Sequence, residues 1–352
     1  MAAGGLEGGW CGRALRGTAP LLAAGLAWLV FPAAASTPAP QAKIPGPWPA
    51  PPAEPRIAFV RSLASPVDAG VKVSGWNRVA NAITGANTGK KKLSKPFGLA
   101  LDEADNLCLT DTGEGVVCFF DQASRRWQLW EKAGSLAFVS PVAVAKRQNT
   151  LYVADSSLRQ VVAFNTRGKL LFEIREGLER PSGLALGQDR LWVADAQNHT
   201  VSAYAPKDGK FLARFGKRGT SPGDFNFPTH LAVDGRNQLY VTDSMNYRVQ
   251  IFDAQGALVG VIGGQGDGSG SFSRPKGVAV DSWGHIYVAD ALFDNFQIFN
   301  QAGQFLLDVG AAGSGPGEFW LPAGMAIGRD NHIYVADSYN QRVQIFKYLG
   351  KE

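Results

Sequence analysis

The strongest constraint on the fold is a sequence motif that occurs twice in the chain. Residues 238–252 read QLYVTDSMNYRVQIF and residues 332–346 read HIYVADSYNQRVQIF. From the second letter onward 10 of 14 positions are identical, and the two copies begin 94 residues apart. Similarity of this kind within one chain indicates a repeat architecture, so the fold follows from the repeating unit.

Less similar copies of this motif extend the repeat to six units. Each unit has an aspartate at the end of an apolar run, and these aspartates are Asp111, Asp155, Asp195, Asp243, Asp290 and Asp337. Their spacings are 44, 40, 48, 47 and 47 residues. Within a unit, a Pro-x-Gly segment or a close variant opens an apolar alternation, and a polar turn leads into the run that ends at the aspartate. Period-two alternation bounded by Gly, Pro, Asn and Asp predicts strands and turns.

Four antiparallel strands in a unit of about 45 residues make one blade of a β-propeller. The sequence therefore predicts an all-β fold, a six-bladed β-propeller of four-stranded antiparallel blades. The sixth unit ends after its third strand at residues 342–346, so the isolated apolar run at 56–65 is predicted to supply the missing strand. This N-terminal strand would close the ring and remove an exposed sheet edge.

The motifs of these units resemble those of a known family. The patterns P-x-G-[LV]-A-[LV]-D, [LI]-Y-V-A-D-S and N-x-R-V-Q-[IV]-F are similar to the repeats of NHL-repeat β-propellers over residues 96–346, most closely in units four to six. The chain looks like an exported bacterial member of that family. The resemblance implies the propeller fold, and it says little about chemistry because one fold carries many functions.

The N-terminal region predicts export. Residues 1–35 are expected to be a signal peptide, because Arg13 and Arg16 precede an apolar run that ends in small residues before Ser36. Residues 36–55 form a proline-rich spacer, 56–347 the propeller and 348–352 a C-terminal tail. The run is short and contains two prolines, so no transmembrane span is expected in the mature chain. We expect a periplasmic or secreted protein, with an uncleaved anchor as the alternative.

One histidine departs from the repeat. Five units have glycine or alanine two residues after the proline, namely Gly98, Ala143, Gly183, Gly277 and Gly324. The fourth unit has His230 there, at the start of the innermost strand and near the mouth of the central channel. His230 is therefore a candidate ligand, general base or hydrogen-bond donor to a guest. The alternative is that the ring fills space and bonds a carbonyl group.

The loops between second and third strands carry a second set of candidates. Their apolar and aromatic residues include Met245, Tyr247, Phe293 and Tyr339. Clustered on one face, such side chains are typical of an interaction patch. The alternative is that they pack against neighbouring blades.

The aspartates and cysteines have structural interpretations. A strand-ending aspartate accepts hydrogen bonds from backbone N–H groups of the following turn, and Arg248 or Arg342 can neutralise it. Cys108 and Cys118 lie three residues before and seven after Asp111. Offsets of equal parity put both on one sheet face, so they are candidates for a disulfide. Two reduced, packed thiols are the alternative.

These observations favour a non-enzymatic scaffold that binds a protein or peptide partner through its channel-mouth face. The alternative is a metal-dependent lyase or lactonase acting in the central channel, as in related propellers. For that reaction only His230 is suitably placed, and the four histidines lack zinc-ligand spacing. No metal or other cofactor is expected. The net charge of +5 is too mild to indicate nucleic acid, and a monomer is expected.

Overall fold

The computed structural model describes residues 45–71 and 92–350, and these residues form six four-stranded antiparallel sheets. The prediction of an all-β, six-bladed propeller is confirmed. The predicted signal peptide and the first part of the spacer lie outside the described residues. Within the described part of the chain, no helix has the length and apolar character needed to cross a bilayer.

Each blade runs from an inner strand at the channel to an outer strand. Blades 1 to 3 consist of β2 (Pro96–Leu101), β3 (Leu107–Asp111), β4 (Val116–Asp121) and β5 (Arg126–Trp130); β8 (Pro141–Arg147), β9 (Thr150–Asp155), β10 (Gln160–Asn165) and β11 (Leu170–Ile174); β12 (Pro181–Leu186), β13 (Leu191–Asp195), β14 (Thr200–Tyr204) and β15 (Phe211–Phe215). A small hairpin, β6 (Lys132–Ala133) and β7 (Leu136–Ala137), lies between blades 1 and 2 in the chain.

The second half of the ring repeats this order. Blades 4 to 6 consist of β16 (Pro228–Val233), β17 (Leu239–Asp243), β18 (Arg248–Phe252) and β19 (Leu258–Ile262); β20 (Pro275–Val280), β21 (Ile286–Asp290), β22 (Asn295–Phe299) and β23 (Phe305–Val309); β24 (Pro322–Ile327), β25 (His332–Asp337), β26 (Arg342–Tyr348) and β1 (Ile57–Leu63). A single 3-10 turn, Ser244–Asn246, follows β17.

The first and last strands of the described chain meet in blade 6. Strand β1 pairs antiparallel with β26, with Ile57 opposite Tyr348 and Leu63 opposite Val343. Trp48 forms a β-bridge with Ile57, and its ring lies 5.8 Å from that of Phe346. The end of the proline-rich spacer therefore packs on the propeller.

The inner strands form a closed ring around the channel. Each inner strand contacts the inner strands of the two neighbouring blades, including β2 with β24. The approach is close, because a Cβ on Gly183 would lie 2.3 Å from the carbonyl oxygen of Thr229 in the next blade. The hydroxyl of Ser338 donates to the carbonyl of Pro96 at 2.6 Å, which ties blade 6 to blade 1. This crowding explains why glycine recurs at the inner-strand position.

The apolar core lies between adjacent blades. Second strands are buried on both faces, so each blade shares one apolar cluster with the blade before it and another with the blade after it. Phe225, Phe272 and Phe319, from the loops that enter blades 4 to 6, are fully buried in these clusters. No blade can bury both of its faces alone, so the ring has to fold as an assembly of neighbours.

The proposed disulfide between Cys108 and Cys118 is wrong. Cys108 pairs with Phe119, whereas Cys118 pairs with Leu109, so the two sulfur-bearing side chains point to opposite faces of blade 1. They belong to different apolar clusters, and no disulfide joins them. Counting positions from Asp111 gives the wrong face because Asp111 pairs with Val116, five residues later. With this pairing, residues that lie opposite each other have one odd and one even offset from Asp111, whereas the offsets of Cys108 and Cys118 are both odd.

Candidate functional site

The candidate site lies on the face where inner strands begin and second strands end. Because neighbouring strands are antiparallel, this face also carries the turns between second and third strands, and we call it the mouth face. His285 and His332 lie on the opposite face, where each bonds an aspartate in its own turn, Asp281 and Asp330 respectively. Neither histidine is therefore near His230.

The repeated motif forms the hydrogen-bond network of the mouth face. In blade 4, the buried carboxylate of Asp243 accepts hydrogen bonds from the backbone N–H of Asn226 at 2.6 Å and from the side chains of Asn246 and Arg248, each at 2.8 Å. Arg248 also donates to the carbonyl groups of Thr220, Ser221 and Asp224. Blade 6 repeats the pattern around Asp337. The aspartates therefore hold the turns and entry loops in place and are not available to a ligand.

A cavity of about 350 Å³ opens at the centre of the mouth face. Its lining comes from the beginnings of the inner strands of blades 1 to 5 and from the adjacent turns. The lining residues are Phe97, Val142, Ser156, Arg180, Ser182, Ala196, Phe227, Thr229, His230, Ser244, Met245, Arg274 and Lys276. We call this cavity the mouth pocket. Its volume is at the lower end of the range for small-ligand sites.

Three basic side chains line the mouth pocket, and no acidic side chain does. Arg180 and Arg274 are exposed, while Lys276 is half-buried. Within residues 45–71 and 92–350, no ion pair or side-chain hydrogen bond engages these three groups. Burial, together with the positive charges of Arg274 and Arg180, lowers the pKa of Lys276 to about 8. The pocket therefore concentrates positive charge that the described protein does not neutralise.

His230 lies at the inner end of this pocket. Its side chain is 8% exposed, and neither ring nitrogen has a hydrogen-bond partner among the described residues. Its ring lies 5.5 Å from that of Phe97, which belongs to blade 1, on the opposite side of a six-bladed ring from blade 4. The two rings therefore meet across the channel. Burial, and secondarily the charge of Lys276, lowers the pKa of His230 to about 3, so the imidazole is neutral at physiological pH.

The loop residues predicted from sequence divide into two kinds. Met245 is 40% exposed and lines the mouth pocket, and Tyr339 is 45% exposed. Tyr247 has a left-handed backbone with φ of 55° and is half-buried against the apolar cluster between blades 4 and 5. Phe293 is also half-buried. Met245 and Tyr247 share a groove with Leu292, whereas Tyr339 packs on Trp320 at 5.5 Å and lies beneath Lys95.

The structure adds exposed residues that the predicted site set does not contain. Leu292 is 55% exposed and Trp320 54% exposed on the mouth face. Two of the basic residues, Arg180 and Arg274, directly precede the first proline of an inner strand, as does Lys95 in blade 1. Basic residues therefore occupy this position in alternate blades. That alternation is visible in the sequence and was the available signal for a charged mouth.

No cluster suited to a metal ion is found in the described residues, where no three His, Cys, Asp or Glu side chains come together. His230 is instead accompanied by cationic and apolar neighbours.

Comparison with known proteins agrees with the fold. A model of the NHL repeat matches residues 319–346, and a model described as 6-bladed beta-propeller matches residues 235–291. The chain therefore contains NHL-type repeats within a six-bladed propeller. Together these matches cover less than half of the chain.

Curated relatives match over short segments. E3 ubiquitin-protein ligase TRIM32 of Mus musculus is 42% identical over 48 residues, which is 14% of this chain and 7% of that protein. Protein brain tumor of Drosophila melanogaster is 35% identical over 72 residues, which is 18% of this chain and 7% of that protein. The chain thus spans only a small fraction of the length of these relatives.

Solved structures match over most of the propeller at low identity. A streptogramin B lyase superposes with a TM-score of 0.54 at 12% identity, covering 72% of this chain and 94% of that one. The calcium-binding protein regucalcin of Agrobacterium tumefaciens gives a TM-score of 0.54 at 17% identity, covering 73% and 90%. These likenesses show a shared fold alone.

Proposed function

We propose that this propeller is a non-enzymatic platform that binds a protein or peptide partner through its mouth face. One observation carries the proposal. The second residue after the strand-ending aspartate is an exposed apolar side chain in three consecutive blades: Met245 (40%), Leu292 (55%) and Tyr339 (45%). In blades 1 to 3 the same position holds Gly113, Ser157 and Gln197.

We call the ring of these six positions the mouth rim, and half of it is therefore apolar. Trp320 extends this arc, since it stacks on Tyr339 beside the entry loop of blade 6. Elsewhere, Leu171 and Leu306 are exposed on outer strands around the circumference, and Val139, 56% exposed, lies beside the start of blade 2, outside this arc. Apolar side chains gathered on one arc, and rich in Trp, Tyr and Met, are typical of a protein-binding surface.

The rim is also preorganised. The turn that presents Met245 is held by Asn246, whose side chain donates to Gly219 and Asp243, and the equivalent Asn340 holds the turn that presents Tyr339. A rigid turn loses little conformational entropy on binding, which favours affinity. The loops thus supply specificity on a fixed scaffold.

Two features of the channel favour binding over a metal-dependent lyase or lactonase reaction. A histidine whose pKa is about 3 is a weak general base near neutral pH, and His230 is such a residue. Arg180, Arg274 and Lys276 repel a metal cation that approaches His230 from the mouth. The N-terminal sequence supports placing the platform outside the cytoplasm, in the periplasm or the medium.

Site-specific cross-linking tests the platform. A photoreactive amino acid is placed at Leu292 on the mouth face or at Leu306 on the outer strand of the same blade; the two native side chains are 55% and 48% exposed. Each protein is irradiated with the extracytoplasmic fraction of its host. We expect a discrete adduct from position 292 alone, and its loss when Met245 and Tyr339 are changed to serine. Adducts of equal yield from both positions, or none from 292, would refute the proposal.

A further inference from the structure

We propose that the mouth pocket is a carboxylate site, which receives an aspartate or glutamate side chain of a peptide partner next to an apolar residue. This inference rests on the proposed function and specifies its partner: an acidic peptide that inserts one carboxylate at the centre of the mouth face and lays apolar side chains on the rim.

The charge of the pocket points to an anion. Arg180, Arg274 and Lys276 come from blades 3 and 5, line one cavity and have no ion-pair partner among the described residues. By contrast, the sheltered side chains of Lys146 and Arg248 each pair with an aspartate, Asp102 at 2.6 Å and Asp243 at 2.8 Å. Arg and Lys form strong charge-assisted hydrogen bonds with a carboxylate. An incoming carboxylate would supply the negative charge that the pocket lacks.

Two unsatisfied polar side chains extend the same site. The hydroxyl of Thr229 and both ring nitrogens of His230 are buried without a hydrogen-bond partner among the described residues, and both residues line the pocket. Buried polar groups are normally satisfied, so such groups indicate a missing partner. A hydroxyl and a neutral imidazole each have one hydrogen to donate, which suits the oxygens of a carboxylate.

The remaining lining limits what else enters. The rings of Phe97 and His230 meet across the channel, which narrows the path for a guest that enters from the mouth. Val142, Phe227 and Met245 provide an apolar wall, and the cavity of about 350 Å³ holds one or two side chains and not a folded domain. A short peptide segment with one acidic and one apolar side chain fits this combination of charge, wall and size.

A matched pair of peptides tests the inference. The probes are acetyl-Leu-Glu-amide and acetyl-Leu-Gln-amide, which differ in one carboxylate. Affinity is measured by ligand-observed NMR titration at low ionic strength, where screening of charge is weak. We expect wild type to prefer the glutamate peptide by at least ~10-fold, as for a charge-assisted contact. Inorganic phosphate, added as a competitor, measures whether the pocket accepts any oxyanion.

Variants assign the preference to the pocket. Arg274→Met with Lys276→Met should abolish the glutamate preference. The control Arg159→Met removes a positive charge from the same face, but that side chain is 66% exposed and paired with Glu179, so the preference should remain. Melting curves confirm that each variant is folded.

Three results with the peptides and variants would overturn the carboxylate site. These are equal affinity of wild type for the two peptides, no binding of either peptide, and an unchanged preference in the double variant. Displacement by phosphate at concentrations below those of the glutamate peptide would also overturn it, because the site would then be a phosphate site. Cross-linking at Leu292 is independent of these outcomes, so failure of the carboxylate site is distinguished from failure of the platform.

Discussion

Lys276→Met should stabilise the protein, because the wild-type side chain keeps a positive charge in a pocket that disfavours it. The pKa of Lys276 falls from an ordinary 10.5 to about 8, chiefly through burial and then through Arg274 and Arg180. At roughly 1.4 kcal/mol for each pH unit, this difference corresponds to about 3 kcal/mol. Methionine has a similar length, has no charge and suits a wall that already contains Met245 and Phe227.

The sign of the pH dependence follows from the direction of the shift. Between pH 8 and pH 10.5 the unfolded chain binds a proton at this lysine that the folded chain has released. The free energy of unfolding of wild type therefore rises with pH across this window. Below about pH 8 both states are protonated and the penalty is fully present. The advantage of Lys276→Met should thus be largest near pH 7 and should shrink as the pH rises.

Urea unfolding at pH 7 and pH 9, followed by circular dichroism, measures this effect. We expect Lys276→Met to gain up to about 3 kcal/mol at pH 7 and clearly less at pH 9. Lys169→Met serves as the control, since Lys169 is exposed and lies outside the mouth pocket. A Lys276→Met protein less stable than wild type at pH 7, or a stability gain that does not change with pH, would show that the charge of Lys276 does not destabilise the folded protein. Lys276 would then no longer support a binding role for the mouth pocket.

Three further predictions concern closure of the ring by β1, the ion pair between Arg342 and Asp337, and export. Deleting residues 57–63 should expose the edge of β26 and lower the melting temperature by many degrees or cause aggregation; an unchanged melting curve would contradict closure by this strand. Changing Arg342 to methionine leaves the buried Asp337 carboxylate without its cation and should cost about 3–5 kcal/mol in urea unfolding; a loss below about 1 kcal/mol would indicate that the remaining hydrogen bonds suffice. Sequencing the protein from its host should find a mature N-terminus near Ser36 in the extracytoplasmic fraction, and an intact Met1 in the cytosol would contradict export.

Much of the fold could be predicted from the sequence because its rules are local. Strand alternation, the turn chemistry of aspartate and the period of 40–48 residues all act within one blade, and one blade lies within one stretch of chain. The repeated Asp, Asn, Arg and Gln of units four and six encode hydrogen bonds to the loop that enters the same blade. Even the departure of His230 from its sibling glycines is visible by comparing units.

Details that depend on register could not be obtained this way. The disulfide prediction for Cys108 and Cys118 failed because it counted positions from Asp111. Which residues lie opposite each other across a turn depends on where strand pairing begins, and such a count does not contain that information. Tyr247 and Met245 lie two residues apart, yet only Met245 is exposed, because Tyr247 packs against the apolar cluster between blades 4 and 5. Packing between blades thus decides which side chain is offered to a partner.

Patterns in the sequence are enough to specify the blade, the number of blades and the structural role of the aspartates. The composition of the mouth pocket depends on the folded ring, which joins Phe97, Arg180, His230 and Lys276 from four different blades. The folded ring also decides that Phe97 and His230 meet, although 133 positions separate them in the chain. The physical reason is ring closure, since packing of each blade on its neighbours brings the inner strands of distant units together around one axis, and no pattern within a single unit specifies which residues face each other across it.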